Sequence, residues 1–427
     1  MKWLEKIIQI FKIKDLRKKI FFVLMILVVF RIAANIPVPG IDIDRLKEFF
    51  ANNQLFGLMN IFTGGAMSNL SIIMLGLGPF ITSTIIMQLL TMIFPKLEAL
   101  YKEEGEAGRQ KFNQYGRILA VPMSILQSYA MLTLFTRQNI ISFDSLFQWF
   151  TSITVITAGS LFLMWLGELI SEKGIGNGVS LLIFAGIVSS VPLSIRELVV
   201  TYTPAKIPSY IAFFIIAIII TSGVVIITEG RRNIPVSYAK RVRGNKMYGG
   251  VSTYLPLNVN PAGVIPIIFA LSIMLFPGMI ANFLGSSDIG WVASIAQKVG
   301  LLFQNPWFYG IAYFLLVVLF TYFYTAVTFN PKNVSSNLQK MGGFIPGIRP
   351  GKSTTEFLYF ILNRVLLFGA LFLGSIAVLP SIVQGITGIT AFGFIIGGTA
   401  LLIVVSVVLD VMRQVNSQLT MRDYEGL

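Results

Sequence analysis

Ten long apolar stretches, at about residues 20–36, 70–94, 118–135, 150–170, 177–191, 210–228, 262–284, 306–328, 357–379 and 390–411, limit what this chain can fold into. Crossing bilayer hydrocarbon takes about 20 apolar residues of helix. Lipid offers unpaired backbone groups no partner, so such spans must be helical. With 55% hydrophobic and 12% charged residues among 427, the composition is not that of a soluble globular domain. The expected fold class is all-α, a polytopic membrane protein with ten transmembrane helices. An even split gives two five-helix halves, 1–192 and 193–427, inverted relative to each other, an arrangement common in transport proteins that leaves a path between the halves.

Charge sets the orientation. The amino terminus and the loops after spans 2, 4, 6, 8 and 10 carry 25 of the 33 lysines and arginines, which predicts that both termini are cytoplasmic. The start, MKWLEKIIQIFKIKDLRKKI, lacks a small-residue cleavage site before Pro37. It reads as a basic amphipathic segment on the membrane surface followed by a retained first span.

Residues 57–90 carry the sharpest signal. A short glycine-interrupted piece, GLMNIFTGGAMSNL, runs without a charged break into SIIMLGLGPFITSTIIMQLL. The first piece is too short to cross, and non-helical backbone at membrane depth is tolerated only where protein covers it or water bathes it. A re-entrant segment inside a cavity is therefore expected, with Gly78 and Pro79 loosening the helix that follows. Leu77 and Ile81, four apart, share a face of that helix. Aliphatic side chains from several helices can close a narrow point and exclude water by dewetting; isolated leucines and isoleucines equally serve ordinary packing.

Two loops, about 229–260 and 329–356, are larger and more basic than a connection requires. The first contains IPVSYAKRV, whose alternation suggests a hairpin, with Arg241 and Arg243. The second contains GIRPGKS with Arg349 and Lys352. Together they suggest a docking face for anionic lipid, RNA or an acidic protein surface.

The chain has no histidine and no cysteine, which removes the usual general bases, thiol nucleophiles and zinc ligands. Neither an enzyme nor any cofactor is expected. GIRPGKS is not a phosphate loop, because Pro346 stands where the pattern needs glycine. GIGNGVS reads as a tight turn with Asn177 capping the next helix. Glu168 and Asp410 lie near cytoplasmic ends of their spans, Arg31 near an outer end, and Arg364 about two turns inside span 9. No convincing ionisable site lies at the midplane, as an ion-coupled transporter would need.

Several strings resemble one family in the same order along the chain. They are IPVPGID (36–42), FTGGAMSNLSIIMLGLGPFITSTIIMQLL (62–90), EGEAGR (104–109), EKGIGNGVSLLIFAGI (172–187), IPVSYAKR (234–241), NPAGVIPIIFA (260–270), GIRPGK (347–352) and GGTALLIVVSVVLD (397–410). They are similar to the SecY family, the channel subunit of the bacterial protein-secretion translocase. The resemblance implies a clamshell of two halves around an hourglass pore in the bacterial plasma membrane. It implies SecE and SecG as fellow subunits, the SecA motor or a translating ribosome at the cytoplasmic face, signal-bearing polypeptides as clients and lipid as surroundings. Ribosomal RNA is a possible contact, and no nucleic acid is a substrate.

Carried over by position, the pore ring falls on Leu77, Ile81, Ile183, Ile268 and Ile403, with Ile187 one turn beyond Ile183 as a further member. Leu77 stands where an isoleucine is frequent. The plug covers about 58–69, including Leu58, Met59, Ile61, Phe62, Gly64, Gly65 and Met67. A lateral gate is expected between span 2 with part of span 3 and spans 7 and 8, with Thr82, Ser83 and Gln88 hydrogen-bonding across it. Arg349 and Lys352, with Arg241 and Arg243, are the expected motor or ribosome contacts. The function so implied is a protein-conducting channel that passes unfolded chains and releases apolar segments sideways. The alternative from the residues alone is an ion-coupled small-molecule secondary transporter.

Overall fold

A computed structural model describes residues 12–38, 60, 63–141, 143, 145–200, 204, 207–238, 241–243, 246–248, 252–284, 290–387 and 398–425. Each expected apolar span falls on a helix: α1 (Lys14–Ala33), α2 (Gly78–Ile93), α4 (Gly105–Arg137), α5 (Leu146–Lys173), α6 (Gly178–Val200), α7 (Ile207–Glu229), α8 (Ile265–Leu284), α10 (Pro306–Thr328), α12 (Lys352–Thr387) and α13 (Gly398–Glu425). Three further helices, α3 (Pro95–Lys102), α9 (Gly290–Gln304) and α11 (Pro331–Lys340), lie in the connections. Among the described residues, five helices are long and apolar enough to cross a membrane unaided, and α2 with α3, bent by 111°, makes a sixth. The other apolar helices, α6 (23 residues), α7 (23 residues) and α8 (20 residues), are each about as long as a span requires. The first turns of α1 carry Lys14, Asp15, Arg17, Lys18 and Lys19, while α6 and α8 continue through Pro192 and Pro277.

Helix starts follow capping chemistry. Asn305 and Asn330 each precede a proline, and each side-chain oxygen accepts from the amide two residues on, at 3.0 Å. Proline's missing N–H costs nothing in a first turn. Asn177 accepts from the Ser180 amide at 3.2 Å, as its position in the sequence suggests. The second span departs from expectation. It was expected from residue 70, but residues 63–77 form successive turns and the helix begins at Gly78. Pro79 therefore does not loosen a helix already under way; it lies in the first turn and starts one.

The helices bury one large apolar cluster and a smaller one beside it. α2 packs on α4, α5 and α8; α6 packs on α5 and α13; α10 packs on α8 and α12. Small residues set the closest approaches. A Cβ at Gly178 would overlap the Gly167 carbonyl, and one at Gly159 would overlap the Ile72 carbonyl. Such small residues let backbones meet in a setting where lipid supplies no hydrophobic drive between helices. At the α7 and α13 ends, Arg413 donates to Glu229 at 2.7 Å and to the Thr228 carbonyl at 3.0 Å.

The two basic loops form a single body. Strands β1 (Arg231–Tyr238) and β4 (Ser252–Asn258) pair antiparallel, and the two-residue β5 (Gly343–Phe344) adds to the other side of β1 through Ser237 opposite Phe344. Between them, β2 (Arg241–Arg243) and β3 (Lys246–Tyr248) make a second hairpin. Ile234 and Val236 alternate inward from β1 and bury themselves with Leu257, Leu338, Ile345 and Leu358. A small core thus welds the loop after α7 to the loop after α10.

Gly159→Val should push α5 away from residue 72 and cost about 1–3 kcal/mol. A lower melting temperature in detergent would show it. Gly116→Ala, whose methyl meets nothing within 4 Å, should leave that temperature unchanged or raise it slightly.

Candidate functional site

Six aliphatic side chains from four separate stretches of sequence share one cluster. Leu77 caps the start of α2, and the Ile81 amide donates to its carbonyl at 3.0 Å. Ile183 and Ile187 lie one turn apart on α6, Ile268 on α8 and Ile403 on α13. Leu77, Ile81, Ile183, Ile187 and Ile403 are buried members of the largest apolar cluster, and Ile268 packs against it partly buried. Ile403 has no exposed surface at all. All six side chains are aliphatic, the kind of surface that can exclude water by dewetting.

Beside it lies the non-helical segment. Of the expected plug residues, Leu58, Met59, Ile61 and Phe62 fall outside the described residues; Gly64, Gly65 and Met67 lie within them. Gly64 and Gly65 adopt φ +67° and +82°, the left-handed region open to glycine at little cost. Met67 is fully buried in a second apolar cluster with Leu70, Met74, Met131, Leu132 and Phe135. The far end is stitched to the chain after α1: Val38 N–H donates to Leu70 at 2.9 Å and Ile72 N–H to Ile36 at 3.0 Å.

Sequence reasoning noted Arg31 only as a charge near an outer end. In the structure its Nη1 donates to the Gly64 carbonyl at 2.6 Å and to the Ser189 hydroxyl at 2.8 Å. The signal available in the sequence was the charge itself, since an ionisable residue inside a span calls for a partner.

Thr82, Ser83 and Gln88 are all buried on α2, but they do not bond across to α8. The Thr82 hydroxyl donates to its own helix at Gly78 (2.9 Å) and accepts from Gln127 of α4 at 3.3 Å. Ser83 donates to Phe80 at 2.8 Å. Hydroxyls in an apolar setting satisfy themselves on a carbonyl three or four residues back, which corrects the expected cross-gate bonds. Gln88 Oε1 is buried with no partner among the described residues. Direct packing of α2 and α4 on α8 forms the contact there.

On the strand body of the two basic loops, Arg349 is exposed and its carbonyl accepts from the Thr354 hydroxyl at 2.9 Å. Gly347 and Gly351, with φ +82° and +101°, turn the chain on either side of it. Lys352 is exposed and loosely paired with Glu356 at 3.9 Å, an interaction worth little in water. Arg241 and Arg243 lie on β2, opposite Tyr248 and Lys246 of β3.

Apolar helices around an aliphatic interior, a buried non-helical segment before α2 and a basic strand body joining two loops make up the described structure. The family model described as SecY matches residues 71–412. The protein translocase subunit SecY of Streptomyces galbus is 43% identical over 437 residues, covering 97% of this chain and 98% of the relative. That of Corynebacterium glutamicum is 43% identical over 447 residues, covering 99% of each. The chain belongs to the SecY family. Its fold is similar to a solved protein-conducting channel at TM-score 0.63 and 21% identity, covering 93% of this chain and 91% of the other. It is also similar to Sec61 in the canine ribosome–channel complex of the endoplasmic reticulum, at TM-score 0.61 and 21% identity with the same coverage.

A buried acceptor without a partner costs about 1–3 kcal/mol. Gln88→Leu should therefore stabilise the closed packing of α2 on its neighbours. We expect a higher melting temperature and a demand for more apolar signal sequences; an unchanged or lower temperature would show that the amide is satisfied.

Proposed function

We propose that this chain forms the polypeptide-conducting path of a bacterial secretion translocase. It passes unfolded chains through the aliphatic cluster and releases apolar segments sideways into the bilayer. What supports the reading is family membership, together with burial of Leu77, Ile81, Ile183, Ile187 and Ile403 in one apolar cluster, with Ile268 packed against it, beside a non-helical segment. A ring of this kind seals around an extended chain by side-chain rotation and reseals by dewetting. An ion-coupled transporter finds no corresponding support, since family membership points to translocase subunits.

In this reading the halves 1–192 and 193–427 part along the packing of α2 and α4 on α8. An arriving signal helix replaces apolar helix contacts with its own and displaces residues 58–69. Polar contacts between membrane helices average only about 0.6–1 kcal/mol each, so few need breaking. The chain supplies no energy; direction comes from SecA or from elongation at a ribosome, docked on the body that carries Arg241, Arg243, Arg349 and Lys352. SecE and SecG complete the assembly, no cofactor takes part, and both termini face the cytoplasm of a plasma membrane.

The absence of cysteine makes a direct test clean. A single Ile183→Cys substitution, combined with an arrested secretory chain carrying one cysteine, should give a disulfide that depends on the signal and on the motor. A chain protected across the membrane but never linked at Ile183 would move the path elsewhere. Separately, Arg349→Glu should cut motor-driven export at least about tenfold while leaving membrane insertion intact, measured as protease-protected client in vesicles; steric docking of two surfaces tolerates like charge poorly.

A further inference from the structure

A segment that closes a path must stay seated at rest and leave on demand. Residues 70–72 are fixed by backbone bonds to residues 36–38, so that end acts as a hinge. The opposite end has a different attachment. Gly64 lies so close to α6 that a Cβ there would come within 2.8 Å of Gly186 Cα, one residue before Ile187. Arg31, in the last turn of α1, reaches this junction and bonds both sides of it, Gly64 on the segment and Ser189 on α6. The Ser189 hydroxyl donates to the Gly186 carbonyl at 2.7 Å, which directs its lone pairs toward the guanidinium. A second, weaker link runs parallel, with Asn69 donating to Asn35 at 3.4 Å and Asn35 to the Arg31 carbonyl at 2.8 Å.

We propose that Arg31 is a positioning residue that fastens the re-entrant segment to α6, directly against the aliphatic constriction, and so sets how readily the path opens. The proposal rests on the reading that this segment closes the path. The chemistry suits a releasable fastening. Both acceptors are neutral, so each bond is charge-assisted, yet departure of the segment leaves no buried carboxylate stranded. A guanidinium near a helix C-terminus stays favourably placed by the helix dipole after release. Parting α6 from the segment removes one acceptor from the other, so movement of the helix that carries Ile183 and Ile187 loosens the seat.

The test uses Ala66, fully buried in the segment, as a reporter. Ala66→Cys is introduced into the cysteine-free chain, in the assembled translocase in proteoliposomes, and its rate of reaction with a maleimide is measured. At rest, labelling should be slow. Arg31→Gln should raise the resting rate roughly tenfold, Ser189→Ala two- to threefold, and Arg31→Lys, which keeps a charged donor, less than Arg31→Gln. An arrested signal-bearing chain should raise the rate in the unmodified background as well. Equal resting rates in all four backgrounds, with labelling still triggered by the client, would overturn the fastening role and leave the channel reading intact. A reporter that never responds to an arrested client would overturn the channel reading on which the proposal rests. Should Arg31→Gln fail to assemble, Ser189→Ala alone decides, since it removes one acceptor without touching the charge.

Discussion

Everything near the path answers to one constraint: backbone amides and carbonyls at membrane depth have no water to fall back on. Residues 63–77 are not helical, so their polar groups are satisfied one by one. Gly65 N–H finds Asn60, Ser71 N–H finds Ala66, Gly76 N–H finds Ile73, and the chain after α1 supplies partners to Leu70 and Ile72. This stitching requires unusual backbone, with Leu70 at φ +39° and Gly76 at φ +58°. It also fixes where α2 can start, and the start of α2 delivers Leu77 and Ile81 to the central cluster.

The same dryness decides how the interface of α2 and α4 with α8 can work. Thr82 and Ser83 turn their hydroxyls back onto their own helix, and Thr91 does likewise with Gln88 at 2.7 Å. What remains facing the neighbouring helix is mainly shape and apolar surface. Separating such surfaces into lipid exposes little that lipid does not already resemble, because acyl chains are as apolar as leucine. In the proposed mechanism an incoming apolar helix therefore has mainly packing to compete with.

Much of this was legible in the sequence and some was not, for identifiable reasons. The helical spans were readable because twenty apolar residues have few alternatives in a membrane; the Asn177 cap and the hairpin of IPVSYAKRV were readable because their chemistry is local. The start of α2 was misplaced because an apolar run does not distinguish turns from helix, although Pro79 was a usable signal for a first turn. The orientation of Thr82 and Ser83 depends on which carbonyl lies closer, which composition cannot report. Fusion of the two basic loops hinges on β5, only two residues long, too short to leave a pattern. Arg31 was visible as a charge, but its partners are 33 and 158 residues away.

That fusion has a mechanical consequence. β4 continues into α8 through residues 259–264, and this connection is itself held: Val259 N–H donates to Gly230 at 2.9 Å, and Asn260 donates to Gly263 at 3.0 Å. A Cβ at Gly369 of α12 would come within 2.7 Å of the Val259 carbonyl, so the connection also presses on a neighbouring span. On the other side, Ser335 of α11 donates to the Gly351 carbonyl at 2.8 Å, beside the start of α12. The described connections from this body into α8 and α12 are therefore closely held. Of these two helices, α8 carries Ile268 and packs against α2. The basic body and the contact of α8 with α2 are thus joined through covalent structure and close packing.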